Sequence, residues 1–142
     1  CGKSLWRRKD DTNYYFLGSK GTGGTQNCST ADAHPYSGVL NGSPPHFTTT
    51  RDVIDMPCGE WHHVAAVFDY DAAGASLSIY YDGVLKDTQN RVVAPFDDSN
   101  IVLYIGAYAG GNTHFFQGYL DEIYIFDKAL TESQIRDLAY LP

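Results

Sequence analysis

The chain has 142 residues, a length that suits a single domain able to bury a sizeable core. Its 17 acidic and 10 basic residues give a net charge of −7, which disfavours nucleic acid and anionic membranes as partners. No apolar run approaches the ~18 residues of a membrane span, so we expect no membrane insertion. The 11 tyrosines, 7 phenylalanines and 14 glycines favour a β protein.

The first third of the chain predicts short strands around a long loop. Leu5 and Trp6 end one candidate strand, and the basic run at 7–9 is interpreted as a solvated turn. A second strand covers 13–18. Residues 19–52 are rich in Gly, Ser, Thr and Pro, which predicts a functional or decorated loop with short strands near 38–40 and 46–49.

The middle of the chain predicts consecutive antiparallel hairpins. Strands at 61–69 and 75–82 flank a turn, and Leu77, Ile79 and Tyr81 alternate onto one face. Asp82-Gly83 predicts a tight turn into a strand at 84–88. A further strand at 101–107 is expected to be buried.

The C-terminal stretch predicts a strand, a turn and one short helix. Thr131 and Gln134 have the spacing of a capping box, and Leu130 with Ile135 that of a hydrophobic staple. The preceding strand, 119–126, has a conflict of phase. If Ile123 and Ile125 face the core, Asp121 faces it too, so either Asp121 is a buried carboxylate or the chain bulges at 121–122.

Three cysteines and two sequons bear on the compartment. Cys1, Cys28 and Cys58 form no CxxC pair, which disfavours zinc; in an oxidising compartment two can pair and one is left for a partner. Asn27 and Asn41 each begin a glycosylation sequon. We therefore expect an extracellular or cell-surface protein, with three buried free thiols in a cytosolic protein as the alternative.

Five short motifs occur in a fixed order: GEWHHVA at 59–65, IYYDG at 79–83, LYIG at 103–106, GYLDEI at 118–123, and ALT at 129–131 followed by Ile135. Together they resemble the laminin G-like domain of the concanavalin A-like lectin/glucanase superfamily, in its bacterial and pentraxin-like branch. The resemblance implies an antiparallel jelly-roll β-sandwich, which with the predicted helix gives an all-β domain over 1–142 with one short C-terminal helix. On this resemblance we also expect that an N-terminal strand region of the family is missing here or is supplied by neighbouring sequence.

The resemblance implies a structural calcium ion near the edge of the sandwich, with Asp121 as the best ligand candidate. Ordinary hydrogen bonding of Asp121 is the alternative. The acidic cluster of the pentraxins has no counterpart at 107–110, which disfavours their double calcium site.

No catalytic motif is present. Asp121 and Glu122 are adjacent rather than alternating, unlike a glycosidase carboxylate pair. His62 and His63 are strand neighbours that cannot chelate one ion together, and we interpret them as one packed and one exposed histidine.

The predicted function is therefore recognition without catalysis. Exposed aromatic and polar loop residues favour sugar binding, and the candidates are Tyr108, Asn112, His114 and Gln117. The module is expected to bind carbohydrate or a glycoprotein partner within a larger adhesive or matrix protein. Two alternatives are an assembly module that holds neighbouring domains, and a targeting module of a glycoside hydrolase.

Overall fold

The computed structural model describes residues 3–10, 13–21, 33–41, 46–51, 57, 59–71, 74–90, 102–107, 115–116 and 118–140. Strands in antiparallel sheets and one short helix make up the regular structure of these residues, which confirms the predicted fold class. The elements are β1 (Lys3–Asp10), β2 (Asn13–Gly21), β3 (Ala33–Asn41), β4 (His46–Arg51), β5 (Val64–Asp71), β6 (Gly74–Tyr81), β7 (Val84–Asn90), β8 (Leu103–Ile105) and α1 (Glu132–Ala139).

One sheet has five strands in the order β4-β3-β2-β1-β8. Its strands at 13–18, 38–40 and 46–49 were predicted and are longer than expected. Two predictions are wrong here. The basic run at 7–9, interpreted as a turn, lies within β1, where Arg7 pairs with Tyr15. The stretch expected to be mainly loop around short strands is mostly strand among its described residues, because β3 and β4 form a hairpin over 33–51.

The other sheet contains β5, β6 and β7, joined in chain order. The predicted hairpins are confirmed: Tyr81 at the end of β6 pairs with Val64 of β5 on one side and with Val84 of β7 on the other. Asp82 and Gly83 both have positive φ, 48° and 73°. That conformation matches the right-handed twist of the flanking strands and suits a two-residue turn.

The core lies between the sheets, because β3 and β4 contact β6 across the layer. Leu77, Ile79 and Tyr81 are buried on one face of β6, as alternation predicts. The five-stranded sheet contributes Phe16 and Ser37, which are also buried.

Helix α1 begins at the predicted capping box. The Thr131 hydroxyl accepts a hydrogen bond from the Gln134 backbone N–H, and the Gln134 side chain accepts one from the Thr131 N–H. Ile135 is buried, whereas its staple partner Leu130 is half-buried, and their contact stays a prediction. No helix in the described part of the chain is long and apolar enough to cross a membrane.

Two predicted strands differ in the structure. β8 covers three residues instead of seven. Ile105 at its end and Val102 just before it are exposed to solvent, so the expected burial is wrong at these two residues. Residues 119–126 are not a strand, and their apolar side chains are exposed. The segment has a high strand propensity but is not paired, because a β-strand also needs a second strand within hydrogen-bonding distance.

Candidate functional site

Two exposed aromatic side chains from distant parts of the sequence meet on the surface. Trp61 is 68% exposed and Tyr119 is 86% exposed. Their ring centroids are 6.4 Å apart and the ring planes are inclined at 47°. We call these two residues the aromatic pair. Two large aromatic rings that are both exposed to solvent and close together are typical of a binding surface rather than of core packing.

Trp61 is held by the residues that follow it. The Asp82 carboxylate accepts a hydrogen bond from the His63 backbone N–H at 2.9 Å, and the Asp82 N–H donates to the His63 carbonyl at 2.8 Å. The other carboxylate oxygen of Asp82 lies 3.0 Å from Nδ1 of His62. We call His62, His63 and Asp82 the His–Asp clip. It fixes the chain immediately after Trp61 to the β6–β7 turn.

Tyr119 follows a sharp change of direction at Gly118, whose φ is 152°. A Cβ at Gly118 would lie 3.0 Å from the Phe116 ring, so this position has little room for a side chain. The Phe116 N–H donates to the Gly106 carbonyl at 2.8 Å, which ties this stretch to the end of β8. Both rings of the aromatic pair therefore project from anchored backbone.

The ring of His62 stacks on Tyr81, with centroids 5.0 Å apart. Burial raises the pKa of the Tyr81 hydroxyl to about 12, with smaller contributions from the charges of Asp82 and Glu60. Burial lowers the pKa of His63, although the Asp82 carboxylate acts in the opposite direction. The prediction of one packed and one exposed histidine is wrong, because both are half-buried.

Asp121 is exposed, so the prediction of a buried carboxylate is wrong. Its Oδ1 accepts a hydrogen bond from the Glu122 N–H at 2.9 Å, and Glu122 has a φ of 48°. The backbone thus departs from extended geometry at 121–122, the location proposed for the alternative bulge. The Glu122 carboxylate accepts a hydrogen bond from the Tyr124 hydroxyl, which raises the pKa of Tyr124.

The described residues do not fit a calcium site at Asp121. Calcium takes six to eight oxygen ligands, usually with more than one carboxylate. One oxygen of Asp121 is already hydrogen-bonded to its neighbour, and no group of three or more His, Cys, Asp or Glu side chains converges within the described residues. The expected calcium ion therefore has no support at Asp121, and metal removal tests whether the domain binds calcium at all.

Most residues predicted for the site lie outside the described residues. These are Tyr108, Asn112, His114, Gln117, Asn27, Cys1, Cys28 and Cys58. The backbone of Asn41 ends β3, and its side chain is not described. The sequence reasoning missed the aromatic pair, since it assigned both rings to strands. The glycines at 59 and 118, just before each ring, were a signal that these rings leave the sheet surface.

Comparisons with known proteins agree with the fold. The family model of the concanavalin A-like lectin/glucanases superfamily, in its laminin G form, matches residues 4–136. A solved S-layer domain-containing protein from Clostridium thermocellum (residues 221–444) is similar in structure, with a TM-score of 0.51 and 20% sequence identity. The similarity covers 97% of this chain and 63% of that one.

No curated protein matches the sequence. The family model spans nearly all of the chain, and the antiparallel sheets with one short helix are consistent with a concanavalin A-like β-sandwich. The chain therefore belongs to the concanavalin A-like lectin/glucanase superfamily, as a laminin G-like domain.

Proposed function

We propose that this chain is a non-catalytic, extracellular or cell-surface recognition module that binds carbohydrate, free or on a glycoprotein, at the aromatic pair. The observation that carries the proposal is the exposure of Trp61 and Tyr119 at 6.4 Å from each other. The faces of sugar rings carry apolar C–H groups that stack on aromatic side chains, while polar neighbours select among hydroxyl patterns. The superfamily, which includes lectins, supports this class of ligand.

The inclination of the two rings indicates the shape of the ligand. Rings in one plane suit the flat surface of a packed polysaccharide, whereas planes inclined at 47° form an open angle. A single sugar residue, at the end or at a branch of a glycan, fits this angle better than a flat array of packed polysaccharide chains does. The segments 59–63 and 118–126 contain no Lys or Arg but include Glu60, Asp121 and Glu122. Like charges repel, so we expect neutral glycans to bind better than acidic ones.

Binding can be tested by a glycan array followed by calorimetry on the best ligand. We expect Trp61→Ala and Tyr119→Ala each to weaken binding by at least about tenfold, the effect of losing about 1.4 kcal/mol at a central aromatic contact. Tyr140→Ala is the matched control, because Tyr140 is also an exposed aromatic but lies at the end of α1. Loss of binding in all three variants, or in none, would refute the site.

The absence of catalysis is part of the same proposal. Near the aromatic pair, Asp82 is bound to His62, Asp121 to the Glu122 N–H, and Glu122 to Tyr124. These carboxylates serve local hydrogen bonds rather than facing each other across a cleft, which a glycosidase requires. A targeting module of a glycoside hydrolase is a compatible variant, in which the bound glycan is the substrate of a neighbouring domain.

A structural assembly module is the second candidate, and one observation favours it. The segment 120–126 exposes Ile123, Tyr124, Ile125 and Phe126, with Ile125 at 66%. Exposed apolar runs of this kind are often covered by a partner. The similar S-layer domain-containing protein also supports a cell-surface setting. Sedimentation equilibrium distinguishes the candidates: self-association that Ile125→Asp abolishes, without glycan binding, would favour assembly.

A further inference from the structure

The backbone that carries Trp61 depends on two half-buried histidines in sequence, His62 and His63. Both belong to the His–Asp clip, whose contacts with Asp82 are 2.8–3.0 Å long. The His62 contact uses the imidazole ring, whereas His63 contributes its backbone N–H and carbonyl. The His63 ring is attached to this clip backbone, and histidine changes its charge in a pH range where few other side chains do.

The Asp82 side of the clip cannot shift easily. Asp82 and Gly83 occupy a turn with positive φ, and a Cβ at Gly83 would lie 3.1 Å from the Arg136 backbone and 3.2 Å from the Ala139 side chain. The turn of the β6–β7 hairpin therefore packs closely against α1. Any loss of the clip must move the segment that holds Trp61.

The two histidines differ in how they can accept a proton. Nδ1 of His62 faces the Asp82 carboxylate, so a protonated His62 keeps this contact as an ion pair. Nδ1 of His63 is buried and has no hydrogen-bond partner. A proton placed there would be a buried donor without an acceptor, which costs free energy. Nε2 of His62 and the hydroxyl of Tyr81 are buried and unpartnered as well, so neither is engaged elsewhere.

We propose that His63 is an acid sensor, whose protonation opens the His–Asp clip and weakens ligand binding at the aromatic pair. The regulatory part rests on the proposed function, whereas opening of the clip does not. The bound state is thus favoured at neutral pH, and release is favoured in acidic surroundings.

The charges around His63 set the sign of this response. Asp82 favours the protonated ring, a protonated His62 would oppose it, and among the other described neighbours Tyr81 is neutral at these pH values. Glu60 is the acidic residue on the same segment. Arg136 of α1 approaches the turn with its Cα and Cγ, and its guanidinium is paired with Glu132. Burial outweighs the attraction of Asp82, so the pKa of His63 is below its usual 6.5.

The linkage follows from that direction. The unfolded chain binds a proton near pH 6.5, and the folded chain binds it only at lower pH. The contribution of neutral His63 to the stability of the folded chain is complete above pH 6.5 and is lost as the pH falls through the lowered pKa of His63. A transition of the clip is therefore expected below pH 6.5 and not at neutral pH.

Two measurements test the inference: one follows opening of the clip without ligand, and the other follows ligand binding. Without ligand, NMR titration of the histidine Cε1 protons and Trp61 fluorescence in a Trp6→Phe background follow the clip from about pH 7.5 to about pH 5. With the array-selected glycan, calorimetry over the same range follows binding. We expect the His63 resonance to titrate below 6.5 together with the change in Trp61 fluorescence, and affinity to fall at least about threefold.

Variants at the two histidines identify the sensor. His63→Phe removes the titrating ring and should make Trp61 fluorescence and affinity independent of pH, with His63→Asn as the substitute if the phenylalanine variant does not fold. His62→Asn removes the ring contact with Asp82 but leaves the His63 ring in place, so Trp61 fluorescence should still change as the pH falls through the lowered pKa of His63. An unchanged response in His63→Phe or His63→Asn, or no transition in the natural chain, would overturn the sensor. If no glycan binds at any pH but the clip still opens in acid, carbohydrate binding is refuted while the acid response of the His–Asp clip stands.

Discussion

Substitution of Gly83 by alanine tests how closely the helix is seated on the β6–β7 turn. The new Cβ would lie 3.1 Å from the Arg136 Cα, 3.2 Å from the Ala139 Cβ and 3.4 Å from the Arg136 Cγ. The first two of these atoms are a Cα and a Cβ, which cannot rotate away. Overpacking of this kind costs about 1–3 kcal/mol. The positive φ of 73° adds about 1–2 kcal/mol for any residue with a Cβ.

The total predicted loss for Gly83→Ala is therefore about 2–5 kcal/mol of unfolding free energy. In a domain of this size that corresponds to a fall in Tm of about 5–15 °C. Gly59→Ala is the matched control, because Gly59 has a φ of 90° but a Cβ at this position would meet nothing within 4 Å. It should lose only the backbone part, about 1–2 kcal/mol.

Urea unfolding followed by circular dichroism gives both free energies from the same fit. The difference between the two variants isolates the contact between turn and helix from the strain of positive φ. Equal losses for Gly83→Ala and Gly59→Ala would refute the reasoning, since they would mean that α1 moves aside at no cost.

Three further predictions concern stability. Burial raises the pKa of Tyr81 to about 12, so the neutral hydroxyl contributes to the free energy of unfolding fully below about pH 10, and this contribution is lost between about pH 10 and about pH 12. Tyr81→Phe should make the free energy of unfolding, measured with urea, less dependent on pH across this range. Thr131→Ala should cost about 1 kcal/mol through loss of the cap, whereas Thr131→Ser should cost little, by the same urea assay. EDTA should leave Tm within about 1 °C, because the exposed Asp121 lacks converging ligands among the described residues; a larger fall that calcium reverses would contradict this.

Local signals in the sequence predicted local structure well. The Asp82-Gly83 turn, the alternation of Leu77, Ile79 and Tyr81, and the Thr131 capping box each depend on residues within one turn or hairpin. Their physical causes act over a few residues, so their positions in the chain were enough. The succession of such signals favoured a β protein, and the resemblance to laminin G-like domains specified the jelly-roll β-sandwich.

The missed features depend on neighbours distant in sequence. Residues 119–126 have strong strand propensity, yet propensity does not state whether a partner strand is within hydrogen-bonding distance. The same limit applies to the aromatic pair, because nothing near Trp61 in the sequence indicates that Tyr119 lies 6.4 Å away. The His–Asp clip was equally hidden: it joins His62 to Asp82 across the β5–β6 hairpin.

The order of strands in the five-stranded sheet has a consequence for biosynthesis. β1 is an interior strand, with Arg7 paired to Tyr15 on one side and to Leu103 on the other. A ribosome releases β1 before the other described strands and β8 after them, so the side of β1 that pairs with β8 stays unpaired while the intervening strands are made. The β5-β6-β7 sheet joins strands adjacent in the chain and can close much sooner. Nascent chains that end before Leu103 therefore present an open edge to which other chains can add.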